Sequence, residues 1–181
     1  MCLGPGMVFM PYLGMLLRLA EPEDAIAVAR VHVRSWQAAY RTLLPDDYLD
    51  QLRPEDRAQN YDFATLDPLK PRTIVAVEEG LIQGFATTAP AREPDLPNYG
   101  ELWAIYVDPG QWGRGLGMAL VSDARARLLE LGFRNAMLWV LRGNVRAERF
   151  YQIDQWVPDG LCRTDSMWGA TVNEVRYRRG L

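Results

Sequence analysis

A glycine-rich segment, QWGRGLG at residues 111–117, is the stretch of this chain whose residue types point most directly to chemistry. Gly113, Gly115 and Gly117 alternate with other residues, and glycine allows the backbone to approach a ligand closely. Backbone N–H groups here, together with the unpaired donors of a helix's first turn, can hold a phosphate or diphosphate. The segment therefore predicts a site for a phosphate-bearing cofactor.

Two other kinds of glycine loop fit this segment less well. A nucleotide-hydrolase loop needs a lysine and a Ser/Thr directly after its last glycine, where this chain has Met118 and Ala119. A dinucleotide fingerprint needs glycines at its first, third and sixth positions, and the sixth position counted from Gly113 is Met118. An ordinary turn at residues 108–110, Asp-Pro-Gly, leading into a helix stays open from the loop alone.

A second motif, NVRAERFY at residues 144–151, follows the next strand-like run. In order and spacing, the stretch from residue 101 to residue 156 resembles the GNAT superfamily of N-acetyltransferases, which transfer an acyl group from acyl-coenzyme A to an amine. The family pattern is a strand, a Gln/Arg-x-x-Gly-x-Gly/Ala loop, a helix, a second strand, and Asn-x-x-Ala-x-x-Phe-Tyr before a Gly-Phe pair. This chain departs from it at two positions: Trp112 replaces Gln/Arg, and Gln155 replaces the Gly of Gly-Phe.

The resemblance implies acetyl-CoA as co-substrate, with no metal. It implies that loop amides hold the diphosphate and that the preceding strand pairs with the pantetheine arm. Its cofactor-binding residues are Ile105, Tyr106, Val107, Gly113, Arg114, Gly115, Leu116, Gly117, Met118 and Asn144. The N–H of Val107 is the expected donor to the thioester carbonyl. The Arg114 side chain either adds its charge or is an ordinary surface arginine, whereas Asn144 suits both a helix N-cap and a pantetheine partner.

Two residues are the catalytic candidates. Glu101 matches the family's general base, and strand alternation predicts that it shares a face with Trp103 and Ile105, where an apolar neighbourhood suits proton transfer. An edge carboxylate pointing into water is the other interpretation. Tyr151 matches the acid that protonates the leaving thiolate, although a core tyrosine is the commoner use of that residue type. The resemblance implies direct transfer in a ternary complex, without a covalent enzyme intermediate.

Aromatic residues on the first predicted helix indicate an acceptor pocket. His32, Trp36 and Tyr40 recur at four-residue intervals and so lie on one side of that helix. By the resemblance they form a pocket wall together with Trp103; the alternative is that Trp36 and Tyr40 are simply core. The acceptor class stays open between a small-molecule amine and a protein N-terminal or lysine amine. Two rival functions are a non-catalytic acyl-CoA binding or sensing module and a nucleotide-binding oxidoreductase.

Composition narrows the function classes further. The 181 residues are enough for one domain, and a net charge of −3 gives no support for nucleic-acid binding. His32 is the only histidine, so neither a multi-histidine metal site nor a Ser-His-Asp triad elsewhere can be built. Two cysteines without paired spacing make the reducing cytoplasm the expected compartment. A homodimer, common in the family, is left open.

The same sequence predicts the elements that must position these residues. Residues 1–14 are expected to be a disordered or poorly structured leader, too broken by Gly and Pro to span a membrane, and residues 15–181 the acyltransferase domain. Periodicity predicts strands at 15–20, 73–77, 82–88, 101–107, 136–141, 156–165 and 173–179, and helices at 22–40, 44–51, 54–66, 116–131 and 144–154. The order predicts an α/β (α+β) fold: a single GNAT-like domain whose central mixed β-sheet is flanked by helices on both faces.

Overall fold

In the part of the chain that the structure describes, the fold is built on one sheet of eight strands in the order β1-β2-β3-β4-β5-β6-β8-β7. The computed structural model describes residues 8–10, 14–65, 67–167 and 169–181. The strands are β1 (Val8–Met10), β2 (Met15–Leu19), β3 (Arg72–Glu78), β4 (Leu81–Pro90), β5 (Gly100–Val107), β6 (Asn135–Leu141), β7 (Val157–Met167) and β8 (Ala170–Gly180). The helices are α1 (Ala25–Ala39), α2 (Asp46–Asp50), α3 (Pro54–Ala58), α4 (Leu116–Glu130) and α5 (Val145–Ile153), with 3-10 turns at Pro22–Asp24 and Pro109–Gln111.

The sheet is mixed, as predicted, because one of its strand pairs is parallel. All neighbouring strands run antiparallel except β5 and β6. Their pairing in the described chain covers only Gly100↔Ala136 and Glu101↔Met137. Beyond that point the two strands separate, so the sheet opens toward the carboxyl end of β5.

Helices cover both faces of the sheet, as predicted. On one face, Leu120 and Leu128 of α4 and Tyr151 of α5 pack in a core with alternate strand residues. On the other face, Val28 and Val31 of α1 pack against Val75 and Phe85 of the strands. A third apolar cluster joins the end of α1 to α2, β6 and β8: Trp36, Tyr40, Leu44, Leu49, Leu141 and Val172. The helices thereby fix both walls of the gap between β5 and β6.

Most predicted elements match, but the two short helices end earlier than expected. The helix predicted over 54–66 stops at Ala58. Tyr61 and Phe63 then leave helical geometry and stack on each other with ring centroids 5.0 Å apart, which residues two apart on a helix cannot do. Burial of these rings beside Phe85 outweighs local helix propensity.

The predicted leader lies largely outside the described residues, which omit 1–7 and 11–13. Within it, Val8–Met10 pairs antiparallel with Met15–Leu19. The leader and the domain boundary at residue 15 stay predictions.

Candidate active site

A cleft of about 540 Å³ occupies the gap where β5 and β6 separate. One end lies against the glycine loop and the starts of α4 and α5. The other end lies between the end of α1 and the strands β6, β7 and β8. Its floor is β5, and the residues that line its two ends include Gly113, Gly115, Gly117, Met118, Asn144, Arg146, Tyr151, Arg92, Glu101, Trp103, Trp139, Arg163 and Glu174.

The loop end of the cleft presents backbone donors. Gly113 and Gly115 have φ values of 79° and 90°, a region that favours glycine. The first helical hydrogen bond of α4 runs from Ala119 N to Gly115 O (3.1 Å), which leaves the N–H groups of residues 116–118 without helical partners. A Cβ on Gly117 would stand 3.2 Å from Phe150 Cε2, a tight contact, so glycine eases the close approach of α4 to α5. This end has the backbone geometry that the sequence predicted for anion binding, which stays a prediction.

The free edge of β5 lies along the floor of the cleft. Asp108 N donates to Gln83 O (2.8 Å), and Gly84 pairs with Val107, so the antiparallel ladder directs the N–H and C=O of Val107 and Ile105 away from β4. Those groups face the gap toward β6. Tyr106 alternates with them, and its backbone faces Phe85 of β4. The strand therefore offers two residues, rather than three, to an extended ligand.

The carbonyl of Val107 is already held by two side chains. Ser35 Oγ donates to Val107 O at 2.9 Å, and Trp112 Nε1 donates to the same oxygen at 2.8 Å. These bonds tie α1 and the glycine loop to the last residue of β5. They leave the Val107 N–H as the group of this residue that can serve a ligand.

A bulge in β5 changes the direction in which Glu101 points. Thr87 pairs with Ala104 and Thr88 with Leu102, so Trp103 is an extra residue on β5. Leu102 and Ile105 consequently pack in the same apolar cluster. The expectation that Glu101 shares a face with Ile105 is corrected, because alternation places Glu101 opposite Leu102, on the side of Ala104.

Glu101 nevertheless lines the cleft and is almost fully buried, with 3% of its surface exposed. It accepts hydrogen bonds from Arg92: Nη2 lies 3.2 Å from Oε1, and Nε and the backbone N each lie 3.4 Å from Oε2. The Arg92 guanidinium also lies 4.0 Å above the ring centroid of Trp103. Glu101 is therefore a buried carboxylate in an ion pair, and the alternative of an edge group in water does not describe it.

Tyr151 lines the same cleft from α5 and is buried. Burial raises its pKa above the ordinary value, and the nearby Tyr106 adds to the rise. The hydroxyl forms no hydrogen bond with any residue in the described part of the chain. The structure thus places a protonated phenol in the cleft wall.

Two of the three predicted wall residues of α1 reach the cleft. Trp36 and Tyr40 line it, as does Trp103 of β5. His32 does not, and its place in the acceptor pocket is corrected. One turn earlier on α1, its ring packs against Phe85 on the far side of the wall, and Nδ1 lies 2.7 Å from the Tyr61 hydroxyl. Burial lowers the pKa of His32 well below 6.5, with Arg57 a lesser cause.

Two predicted cofactor side chains have partners within the protein. Asn144 Oδ1 accepts from Ala147 N (3.2 Å) as the N-cap of α5, and Asn144 also lines the cleft. Arg114 turns outward instead, bonding Gln111 Oε1 and lying 3.3 Å from Glu78 Oε1. Its side chain is not part of the cleft wall, so the surface-arginine interpretation describes its position.

The charged residues at the acceptor end of the cleft were not predicted from the sequence. Arg163 of β7 pairs with Glu174 of β8 (2.7 Å) and with Glu93 (3.2 Å), and its guanidinium lies 4.2 Å from the ring centroid of Trp139. Burial raises the pKa of Glu174. No local pattern signals these residues, because loop 91–99 and β6, β7 and β8 meet only through the sheet.

The described residues contain no group of three or more His, Cys, Asp or Glu side chains placed to hold a metal ion. Across the same ranges, no helix has the length and apolar character needed to cross a membrane.

A mixed sheet that opens between two parallel strands, above a glycine cradle at a helix N-terminus, defines a GNAT-type acyltransferase fold. The chain belongs to the Acetyltransferase (GNAT) family, whose family pattern matches residues 33–154.

Individual relatives agree with this membership. An uncharacterised N-acetyltransferase, YuaI of Bacillus subtilis (strain 168), is 33% identical over 128 residues, covering 71% of this chain and 72% of that protein. The mycothiol acetyltransferase of Thermobispora bispora is 35% identical over 95 residues, covering 49% of this chain but 32% of that protein. The crystal structure of the PaiA N-acetyltransferase from Thermoplasma acidophilum in complex with coenzyme A superposes with a TM-score of 0.68 at 17% identity, over 92% of this chain and 99% of that one.

Proposed function

We propose that this protein transfers an acetyl group from acetyl-CoA to a primary amine by direct transfer within a ternary complex. One observation carries the proposal. Unpaired amides at the start of α4, the free edge of β5, a buried carboxylate and a buried phenol all face a single cleft.

The donor is proposed to bind along the floor of this cleft. The amides of residues 116–118 would hold the diphosphate, since a helix N-terminus favours an anion. The pantetheine arm would pair with the backbone of Ile105 and Val107, the groups that β4 leaves free. The coenzyme A bound in the T. acidophilum structure supports this choice of donor by analogy of fold.

The transfer step uses both catalytic candidates. Glu101 accepts a proton from the acceptor's ammonium group, directly or through a water, and the freed amine nitrogen attacks the thioester carbonyl carbon. The N–H of Val107 donates to the carbonyl oxygen as negative charge develops there. The C–S bond then breaks, Tyr151 donates its proton to the departing sulfur, and the amide nitrogen returns its surplus proton to the Tyr151 phenolate, directly or through a water. Glu101 releases the proton that it accepted to solvent. Fixing amine and thioester together supplies much of the remaining acceleration.

The acceptor is proposed to enter from the end of the cleft bounded by Trp36, Tyr40 and Trp103. Small-molecule amines and protein N-terminal or lysine amines both remain candidates for this site. The match to mycothiol acetyltransferase covers a third of that protein, so its acceptor is not carried over. The cytoplasm stays the expected compartment, and a homodimer stays open.

An assay of coenzyme A release with a panel of amines tests the proposal. The wild type should release coenzyme A with at least one amine. Glu101→Gln should lower turnover about 10²-fold or more, because general-base catalysis typically contributes that much. Its affinity for coenzyme A should stay within about two-fold, because Glu101 lies away from the amide cradle.

The assay includes a control variant that loses a carboxylate outside the cleft. Glu79→Gln, on the β3–β4 turn and outside the cleft wall, should leave turnover unchanged. Tight coenzyme A binding without release by any amine would instead identify the rival, a non-catalytic binding module.

A further inference from the structure

Trp112, where the family has Gln or Arg, carries a cation from another element. The guanidinium of Arg146, in the first turn of α5, lies 3.4 Å from the ring centroid of Trp112. The indole ring is held in place by β5, because its Nε1 donates to Val107 O at 2.8 Å. The loop and α5 are thereby joined across the cleft by a cation–π contact.

Arg146 differs in its partners from the other arginines of the cleft wall. Arg92 pairs with Glu101, and Arg163 pairs with Glu174. Arg146 forms no ion pair within the described residues, and burial alone lowers its pKa. Arg146 is exposed on the cleft wall, and a cation without a carboxylate partner is available to an anion that enters the cleft.

The position of Arg146 in the cleft indicates which anion it can bind. Trp112 directly precedes Gly113, and Arg146 and Gly113 line the same end of the cleft. Arg114, the loop's own arginine, points away to Glu78. The arginine side chain that lines the loop end of the cleft therefore comes from α5 and not from the loop.

We propose that Arg146 is a binding residue for the diphosphate of coenzyme A and that Trp112 is the residue that positions it. The inference rests on the proposed function. A guanidinium that contacts an indole through its face keeps its in-plane N–H groups, and these can donate to phosphate oxygens while the amides of residues 116–118 hold the other side. On this proposal, an arginine placed over the Trp112 ring replaces the Gln/Arg side chain of the family loop.

A ligand series on Arg146→Gln tests the assignment by calorimetry. Affinity for acetyl-CoA should fall about ten-fold, the effect of losing a charge-assisted hydrogen bond. The same loss is expected for the analogue without the 3′-phosphate, because the diphosphate is intact. Acetyl-pantetheine, which has no phosphate, should bind wild type and variant alike. Arg149→Gln, an exposed arginine on the same helix outside the cleft wall, is the matched control and should bind all three ligands as the wild type does.

Substitutions of Trp112 test the positioning role. Trp112→Leu removes the aromatic face and should weaken acetyl-CoA binding several-fold while sparing acetyl-pantetheine. Combined with Arg146→Gln it should cost little more than Arg146→Gln alone, since both changes remove one interaction. Full additivity of the two losses would show that Trp112 does not act through Arg146.

The possible results distinguish a failure of the Arg146 assignment from a failure of the proposed function. Unchanged acetyl-CoA affinity in Arg146→Gln, with normal binding by the wild type, overturns the inference and leaves the function standing. A loss that disappears for the analogue without the 3′-phosphate also overturns the diphosphate assignment, as does an equal loss for acetyl-pantetheine. Failure of the wild type to bind acetyl-CoA defeats the proposed function itself.

Discussion

Arg92 holds both oxygens of the buried Glu101 carboxylate, with Nη2 3.2 Å from Oε1 and Nε 3.4 Å from Oε2. The Arg92 side chain is 59% exposed and that of Glu101 is 4% exposed, so the arginine stands between the carboxylate and solvent. An acceptor ammonium that approaches Glu101 must compete with this guanidinium or displace it.

Arg92→Gln is expected to lower the KM for the amine acceptor several-fold. The neutral side chain leaves the Glu101 charge to attract the ammonium, whose binding is no longer opposed by a resident cation. Steady-state kinetics over a range of amine concentrations measure the effect, with Arg149→Gln as the charge-matched control. A rise in KM would show instead that Arg92 helps to hold the acceptor.

Tyr151→Phe is expected to lower turnover by about 10²-fold or more, the range of a single proton-transfer group, and to leave acetyl-CoA affinity nearly unchanged. Because burial raises the pKa of Tyr151, its hydroxyl keeps its proton throughout the neutral and mildly alkaline range. The wild-type rate should therefore show no alkaline decline below about pH 10, the ordinary pKa of tyrosine. Full turnover in the variant would remove the acid role.

His32 should make stability depend on pH on the acid side. Its pKa in the folded protein lies well below 6.5, so below pH 6.5 the unfolded chain binds a proton that the folded protein does not. The free energy of unfolding then falls with decreasing pH, by up to about 1.4 kcal/mol per pH unit between 6.5 and the folded pKa, and is unaffected above 6.5.

Denaturant unfolding of the wild type and His32→Gln at pH 7.5 and pH 5.0 measures this effect. The wild type should lose more stability than the variant on acidification, whatever the variant's stability at pH 7.5. Equal losses in the two proteins would mean that His32 does not titrate differently in the folded and unfolded states.

Gln155→Gly is expected to stabilise the protein by about 1 kcal/mol. Gln155 has φ 64° where the family has glycine, and a left-handed conformation costs other residues about 1–2 kcal/mol, part of which the extra chain entropy of glycine offsets. The turn is a Schellman motif, with Trp156 N bonded to Tyr151 O and Gln155 N to Gln152 O. Thermal unfolding should show a rise of about 2–4 °C, and Gln155→Ala, which keeps a Cβ, should show none.

The sequence predicted the order of the elements and the loop end of the cleft. Local signals suffice there, because alternating glycines, a strand before them and an amphipathic helix after them are all contained in residues 101–131. Gln155 has the positive φ that favours glycine, so the turn keeps the conformation of a glycine turn despite the substitution.

The acceptor end could not be predicted in the same way. The bulge at Trp103 reverses the face that simple alternation gives to Glu101, and bulges leave no fixed mark in the sequence. Arg163 meets Glu93, 70 residues away in the sequence, only through the pairing of distant strands. His32 shares a helical side with Trp36, yet one further turn carries it behind the cleft wall.

Calorimetric titration of the purified wild-type protein with acetyl-CoA is the direct test of whether the cleft binds this cofactor. The amide cradle and the free edge of β5 predict saturable one-to-one binding with a Kd in the micromolar range, about 1 μM to 1 mM by comparison with common KM values. Free coenzyme A should compete for the same site. No detectable binding of either compound at millimolar concentration would contradict the account.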